Sequence, residues 1–298
     1  MGEQILGFIG LGNMGRPMAK NIRAKGHRMI VFDVAGTADR APEGAEIAQS
    51  VGEVARRADV LALSLPTVAI NRAVVEEIAA GLADSGGARK VIVDACTIGQ
   101  EAAAGNAAIL AAAGVTYLDA PVSGLPMRAE SASLSTMIAG PSAAVAKARA
   151  LIEGYSANIF HVGETAGLGQ RMKVVNNALY IASLVVISEG LAFGERGGLT
   201  LDDMLAVINT SSGQSFGTQN VFPQHIANGS FDGTGAEAHI IKKDLGLFVD
   251  GAAAEGSPGA TIAEAYRAIA AFSDAEPTQD KARIYPFVRD EMTPDIQG

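Results

Sequence analysis

The sequence predicts two regions of different class: an α/β domain on a doubly wound parallel sheet, then a long interdomain helix leading into an all-α domain. Short apolar, β-branched runs alternate with alanine-rich helical stretches as far as about residue 163, the pattern of a parallel sheet covered by helices. After Gly169 the apolar residues recur at helical spacing only. The division therefore falls between 1–163 and 164–298.

Taken in order, strands are expected at 4–9, 29–33, 60–65, 91–94, 116–119, 135–139 and 158–161, each a short apolar run bounded by turn residues. Helices are expected between them, for example Gly15–Ala24 and 71–82, with Gly26 and Gly81 as stop signals. The stretch 170–194 reads as one long helix. Gly213, Pro223, residues 233–235 and Ser257-Pro258-Gly259 then punctuate the rest into further helices.

Composition limits the function. A chain of 298 residues with 48% hydrophobic and 18% charged residues has enough apolar surface to build both cores. Its net charge of −9 argues against a nucleic-acid partner, which needs a basic surface to displace counterions. Cys96 is the sole cysteine, which excludes an intrachain disulfide and suits a reducing cytoplasm. The start shows no signal-peptide pattern, and no apolar stretch of roughly 20 residues runs without a glycine or charge, so no membrane association is expected.

Gly10-Leu11-Gly12-Asn13-Met14-Gly15 follows the first strand and opens a helix, the context in which this glycine spacing binds a dinucleotide. The first glycine permits a tight turn, the second lets backbone approach a pyrophosphate, and the third lets the helix pack closely. The N–H groups and dipole at the helix start face the anion. Asp33 closes the second strand where a carboxylate accepts from the ribose 2′-hydroxyl of NAD and repels a 2′-phosphate. A turn-capping aspartate fits the same position. The nearest downstream arginine is Arg40, so NAD is expected over NADP.

Residues 119–124 (Asp-Ala-Pro-Val-Ser-Gly) lie past another strand, at the edge where open α/β sheets bind ligands. The Ser123 hydroxyl and the following N–H groups suit a carboxylate, although the segment is also an ordinary loop. Lys173 and Asn177 stand four apart on the long helix and so share a face. Oxidation of an alcohol needs a group that takes the hydroxyl proton. His27, His161, His225 and His239 are scattered and Cys96 is alone, so no metal site is expected, and a lysine could serve instead. A lysine at the start of a buried helix, beside a second cation, would titrate near neutrality. On spacing alone, a solvated helix lysine is the commoner reading, and Lys242-Lys243-Asp244 alone reads as a solvated face.

Together these segments resemble the β-hydroxyacid dehydrogenase family, which includes 3-hydroxyisobutyrate dehydrogenases and tartronate semialdehyde reductases. The resemblance rests on Gly7-Phe8-Ile9-Gly10-Leu11-Gly12-Asn13-Met14-Gly15 with Pro17-Met18-Ala19, on 119–124, on 169–177 and on Lys243-Asp244-Leu245, and it spans nearly the whole chain. It implies a Rossmann-type first domain and a helical second domain through which the chain forms a homodimer or homotetramer. It implies Lys173 as the catalytic lysine, Asn177 orienting the substrate, and Ser123 and Gly124 receiving its carboxylate. Lys243 would lie near nicotinamide and substrate, and Leu65, Pro66 and Thr97 would touch the cofactor alongside the glycine turn.

The substrate loop departs from the family pattern. Leu125 stands where a glycine usually continues the motif, which would narrow the pocket and remove backbone freedom, and two further small positions are Arg128 and Ala132. Arg128 reads equally as an exposed loop charge or as a receptor for a second anionic group, carboxylate, sulfonate or phosphate. Ala236 falls where many relatives carry an aromatic residue. The expected activity is reversible oxidation of a small β-hydroxyacid to its semialdehyde or keto form, with hydride passing to the nicotinamide. The rivals are an imine reductase on the same fold and a non-catalytic dinucleotide-binding interaction protein; the retained Lys173 weighs against both.

Overall fold

The computed structural model describes residues 4–83 and 90–292, in two compact units, Met1–Lys173 and Val174–Gly298. The first contains β1 (Ile5–Ile9), α1 (Gly15–Ala24), β2 (Arg28–Phe32), β3 (Glu46–Ile47), α2 (Val51–Arg57), β4 (Val60–Leu63), α3 (Val68–Leu82), β5 (Val91–Asp94), α4 (Gln100–Ala112), β6 (Thr116–Asp119), β7 (Val122–Ser123), α5 (Leu125–Glu130), β8 (Leu134–Ala139), α6 (Ser142–Ile152) and β9 (Ser156–Gly163). The long helix α7 (Leu168–Arg196) begins in it. This unit runs on to Lys173 instead of ending at 163, because side chains of the sheet unit hold the first turn of α7.

The strand order is β3-β2-β1-β4-β5-β6-β8-β7, with β9 beside β8. All pairs from β3 to β6 are parallel, and the direction of winding reverses at β1, so the sheet is doubly wound with a switch point at the glycine turn. The continuous apolar strands follow from burial on both faces. Leu6 and Phe8, Met29 and Val31, Val60 and Ala62, Val91 and Val93 join one core. Ile9, Ile30, Leu61, Leu63 and Ile92 join the core on the opposite face. That is the period-two partition of side chains expected of pleated strands.

Helix α1 spans the expected residues, and Gly26 stops it at a φ of 89°, its N–H bonded to the Arg23 carbonyl at 2.9 Å. Helix α3 starts earlier than expected, at Val68, because Thr67 caps it by accepting the Ile70 N–H. Gly81 is inside α3 and does not stop it.

The second unit contains the rest of α7, then α8 (Leu201–Ile208), a wide π-helical segment (Gly217–Ile226), α9 (Ala238–Glu255), α10 (Ala260–Ala275) and α11 (Ile284–Glu291). Pro223 lies inside the π-helical segment and does not end a helix; wide turns suit a residue with no N–H to donate. Gly256, left-handed at φ 64°, closes α9 ahead of Ser257-Pro258-Gly259, as the punctuation predicts. Ile181, Leu184, Phe222, Leu245, Ile269, Phe272 and Tyr285 form the centre of this core.

Helix α7 runs unbroken for 29 residues, in line with the single long helix expected at 170–194, and by length and composition alone it is long and apolar enough to cross a membrane. Its buried face of Ala178, Ile181, Leu184, Val185 and Leu191 belongs to the helical core.

Candidate active site

The carboxyl ends of β1, β2, β4, β5 and β6 share one edge of the sheet. From that edge emerge the glycine turn, Asp33, Leu65-Pro66, Thr97 and the segment 119–124. The three glycines of the turn answer to different constraints. Gly10 has φ 93°, and a Cβ there would meet the Ser64 carbonyl oxygen at 2.2 Å. A Cβ on Gly15 would lie 1.9 Å from the Gly10 carbonyl oxygen. Both are demanded by the fold itself. A Cβ on exposed Gly12 would meet nothing within 4 Å, and its φ lies outside the left-handed region. Nothing in the chain requires glycine at 12, whereas a closely approaching pyrophosphate does. The helix that follows has Met14 at its N-cap with no side-chain cap, so no side chain takes the N–H groups that would face the anion.

Asp33 is 9% exposed and binds the glycine turn directly. Its Oδ2 accepts the Leu11 N–H at 2.6 Å and its Oδ1 accepts the Ala35 N–H at 2.7 Å. A carboxylate has about four acceptor positions, so two remain for ribose hydroxyls. The turn after β2 brings Arg40 Nη1 to 3.6 Å from Asp33 Oδ2. The arginine discounted for its distance in sequence thus stands beside Asp33.

Leu65 and Thr97 are joined through their neighbours. The Leu65 N–H donates to Cys96 Sγ at 3.0 Å, and the Cys96 N–H donates to Asp94 Oδ1 at 3.1 Å. Asp94 is fully buried and also accepts from Asn71 at 2.8 Å and the Tyr117 hydroxyl at 2.9 Å. Burial pushes its carboxyl above the usual carboxylate range, against these donors.

Lys173 follows a turn held by two residues. Asp119 accepts the Gly167 N–H and the Gln170 N–H, each at 2.8 Å. Burial raises its carboxyl to about 6, although both N–H donors favour the charged form. Gln170 accepts the Ile98 N–H at 3.0 Å and the Gly99 N–H at 3.2 Å, and donates to the Cys96 carbonyl at 2.9 Å. Gly169 fits against this cluster so closely that a Cβ would lie 2.5 Å from the Met137 carbonyl oxygen. One polar cluster therefore binds the Thr97 loop, the end of β6 and the start of α7. Lys173, 8% exposed, is buried and not a solvated helix lysine.

Ser123 sits in β7 opposite Ser135, and Gly124 follows at φ 144°. Leu125 and Ala132 both adopt left-handed φ, at 64° and 51°, so the backbone keeps a conformation that favours glycine although the side chains have changed. Arg128 is exposed on α5.

The remaining expected residues lie in the helical unit. Asn177 donates to Asp244 Oδ2 at 2.8 Å, and Lys243 Nζ lies 3.0 Å from Asp244 Oδ1. Asp244 thus gathers Asn177 and Lys243. Sequence reasoning missed Asp244 and Gln170 as site residues. Both stood inside quoted motifs, but their partners lie 67 and 71 to 74 residues away.

Residues 5–163 match the family model for the NAD binding domain of 6-phosphogluconate dehydrogenase, and 167–288 that for the NAD-binding domain of NADP-dependent 3-hydroxyisobutyrate dehydrogenase. The chain is 35% identical over 285 residues to 3-hydroxyisobutyrate dehydrogenase of Pseudomonas aeruginosa, covering 91% of this chain and 93% of that one. It is 34% identical over 247 residues to 2-(hydroxymethyl)glutarate dehydrogenase of Eubacterium barkeri, covering 82% and 81%. The solved structure of Mycobacterium tuberculosis 3-hydroxyisobutyrate dehydrogenase with L-serine superposes with a TM-score of 0.87 at 28% identity, covering 97% of this chain and 100% of that chain.

Proposed function

Because the chain belongs to the β-hydroxyacid dehydrogenase family, we propose that it reversibly oxidises a small β-hydroxyacid with NAD as the preferred acceptor, Lys173 moving the hydroxyl proton. The observation that carries this reading is the burial of Lys173 on a turn that Asp119 and Gln170 tie to the cofactor edge of the sheet. A lysine whose ammonium gives up much of its hydration suits proton exchange better than a solvated one. The glycine turn fits a dinucleotide because Gly12, unlike its two neighbours in the motif, serves no need of the fold.

The nicotinamide, when bound, supplies the two-electron acceptor. The chain supplies the rest. Ser123 and the Gly124 backbone receive the substrate carboxylate, and Lys173 takes the alcohol proton or returns it to the carbonyl in the reverse direction. Asn177, held by Asp244, orients the substrate, and Asp33 offers its two remaining acceptor positions to the ribose. The relatives' names put 3-hydroxyisobutyrate and 2-(hydroxymethyl)glutarate first among substrates to try. The exposed apolar row of Val175, Leu179, Val186 and Phe193 along α7 supports a homodimer or homotetramer. A sole cysteine supports a cytoplasmic site of action.

Initial rates with a panel of C3 to C6 hydroxyacids, each with NAD and with NADP, test the activity. Lys173→Ala is expected to lower kcat a hundredfold or more while cofactor affinity, read by fluorescence titration, stays nearly intact. Unchanged turnover would remove Lys173 from the reaction. Arg40→Gln is expected to lower any NADP activity more than NAD activity, since its guanidinium stands 3.6 Å from Asp33.

A further inference from the structure

We propose that Arg128 receives a second carboxylate, so that the physiological substrate is a hydroxy-dicarboxylic acid; the inference rests on the hydroxyacid dehydrogenase reading. Its starting point is the turn that joins the carboxylate-receiving Ser123 to α5. Gly124 takes φ 144° and Leu125 a left-handed φ of 64°, a conformation that is strained for a branched side chain and persists only where its surroundings over-determine it. Pro126 then fixes the first turn of α5. The result is that Arg128 returns over the start of the loop. A Cβ built on Gly124 would lie 2.8 Å from both Cβ and Cδ of Arg128. The aliphatic stem of the arginine therefore lies against Gly124, so its charged end starts from beside the turn that follows Ser123.

That charge has no side-chain partner among the described residues. Arg28, Arg40, Arg57, Arg149, Arg267 and Arg289 each stand within 4 Å of a carboxylate. The Arg128 carbonyl accepts the Ser133 N–H at 2.9 Å, but its guanidinium makes no ion pair or hydrogen bond among the described residues, although the chain carries 32 acidic side chains against 23 lysines and arginines. Glu130, two positions on, projects from another side of the short helix. An unpaired guanidinium beside an anion-receiving turn offers a planar fork that matches a carboxylate at two points, and the long arginine stem sets it apart from the first. Substrate chains of four to six carbons carry carboxylates at both ends of such an arrangement.

The test compares 3-hydroxyisobutyrate with 2-(hydroxymethyl)glutarate, which differ by the second carboxylate arm, in wild type, Arg128→Gln and Arg128→Lys. The wild type is expected to show at least tenfold higher kcat/KM for the diacid. Arg128→Gln should lose roughly thirtyfold on the diacid and less than threefold on the monoacid, with Arg128→Lys recovering part of the loss. The diacid KM should rise with ionic strength, as an exposed pair demands. Calorimetric binding of glutarate to the cofactor-loaded protein should weaken in Arg128→Gln by a similar factor, a readout that does not depend on turnover. Equal losses on both substrates, or none on either, would overturn the role of Arg128 while leaving the dehydrogenase reading in place. Failure of wild type to turn over any hydroxyacid would overturn both.

Discussion

The sheet unit and the helical unit bury polar groups in different ways. In the sheet unit, buried Asp94, Asp119 and Gln170 are surrounded by donors and acceptors at 2.8 to 3.2 Å, and most of those bonds fix a loop at the carboxyl edge. In the helical unit, Lys281 is 1% exposed, yet among the described residues its ammonium has one hydrogen bond, to the Thr234 carbonyl at 3.3 Å. Desolvation lowers its ammonium to about 8, opposed by neighbouring Asp280. Asp280 is itself occupied by the Thr234 N–H and hydroxyl and by the Ala282 N–H. The contrast teaches that a buried polar group stabilises when its partners are complete and destabilises when they are not, whatever the surrounding fold class.

The largest expected effect tests the sheet edge. Gly15→Ala must push a Cβ against the Gly10 carbonyl, so the protein is expected to unfold or to lose more than 10 °C in Tm, roughly what 4 kcal/mol implies for a unit of this size. Gly12→Ala should leave Tm nearly unchanged and raise the cofactor KM at least tenfold. Equal Tm losses in both would show that Gly12 also serves the fold.

Asp119→Ala is next. It leaves the Gly167 and Gln170 N–H groups without an acceptor, at a cost of about 3 kcal/mol in urea unfolding. Asp119 also predicts a pH dependence. Its carboxyl is raised from 3.8 to about 6, so between those values the folded chain binds more protons than the unfolded chain and stability falls as pH rises. Asp119→Asn should flatten that slope, and an unaltered slope would assign it to other groups.

Lys281→Met tests the helical unit. Replacing an incompletely bonded buried cation by an apolar chain of similar length should stabilise the fold by about 2 kcal/mol at pH 7. Below about 8 the wild-type lysine is charged in both states and the full penalty holds. Between about 8 and 10.5 the unfolded chain keeps the proton that the folded chain has lost, so wild-type stability rises and the gap to Lys281→Met narrows. A variant less stable at pH 7 would mean that Lys281 has partners worth keeping. The smallest effect is that of Ala132→Gly, where relief of the left-handed φ of 51° and the added freedom of the unfolded chain nearly cancel, leaving a gain of about 0.5 kcal/mol.

The parts legible in the sequence are those fixed by local periodicity. Helix α1 and strands β5 and β6 stand at the expected residues, and the other main strands shift at their ends only. The strands β3 and β7 are two residues each, too short for an alternation to show. Helix α2 had a readable signal that went unused: Ser50 accepts the Glu53 N–H at 3.1 Å while Glu53 accepts the Gln49 N–H at 2.8 Å, a variant of the reciprocal capping pattern. The site was legible as motifs. Its supports were not, because Gln170 looks like any polar residue at a helix start until the chain folds. Arg40 shows the same limit, since distance along the sequence says little about a turn that doubles back.

Cys96 has a practical consequence. Its thiol is buried, takes the Leu65 N–H, and is pushed well up by desolvation and by Asp94, so thiol reagents meet neither an accessible sulfur nor a thiolate. As it is also the only cysteine, the protein offers a surface silent to maleimide chemistry. A cysteine introduced at an exposed position such as Glu101 would be the single reactive handle for a fluorophore or spin label, with no native residue to remove first.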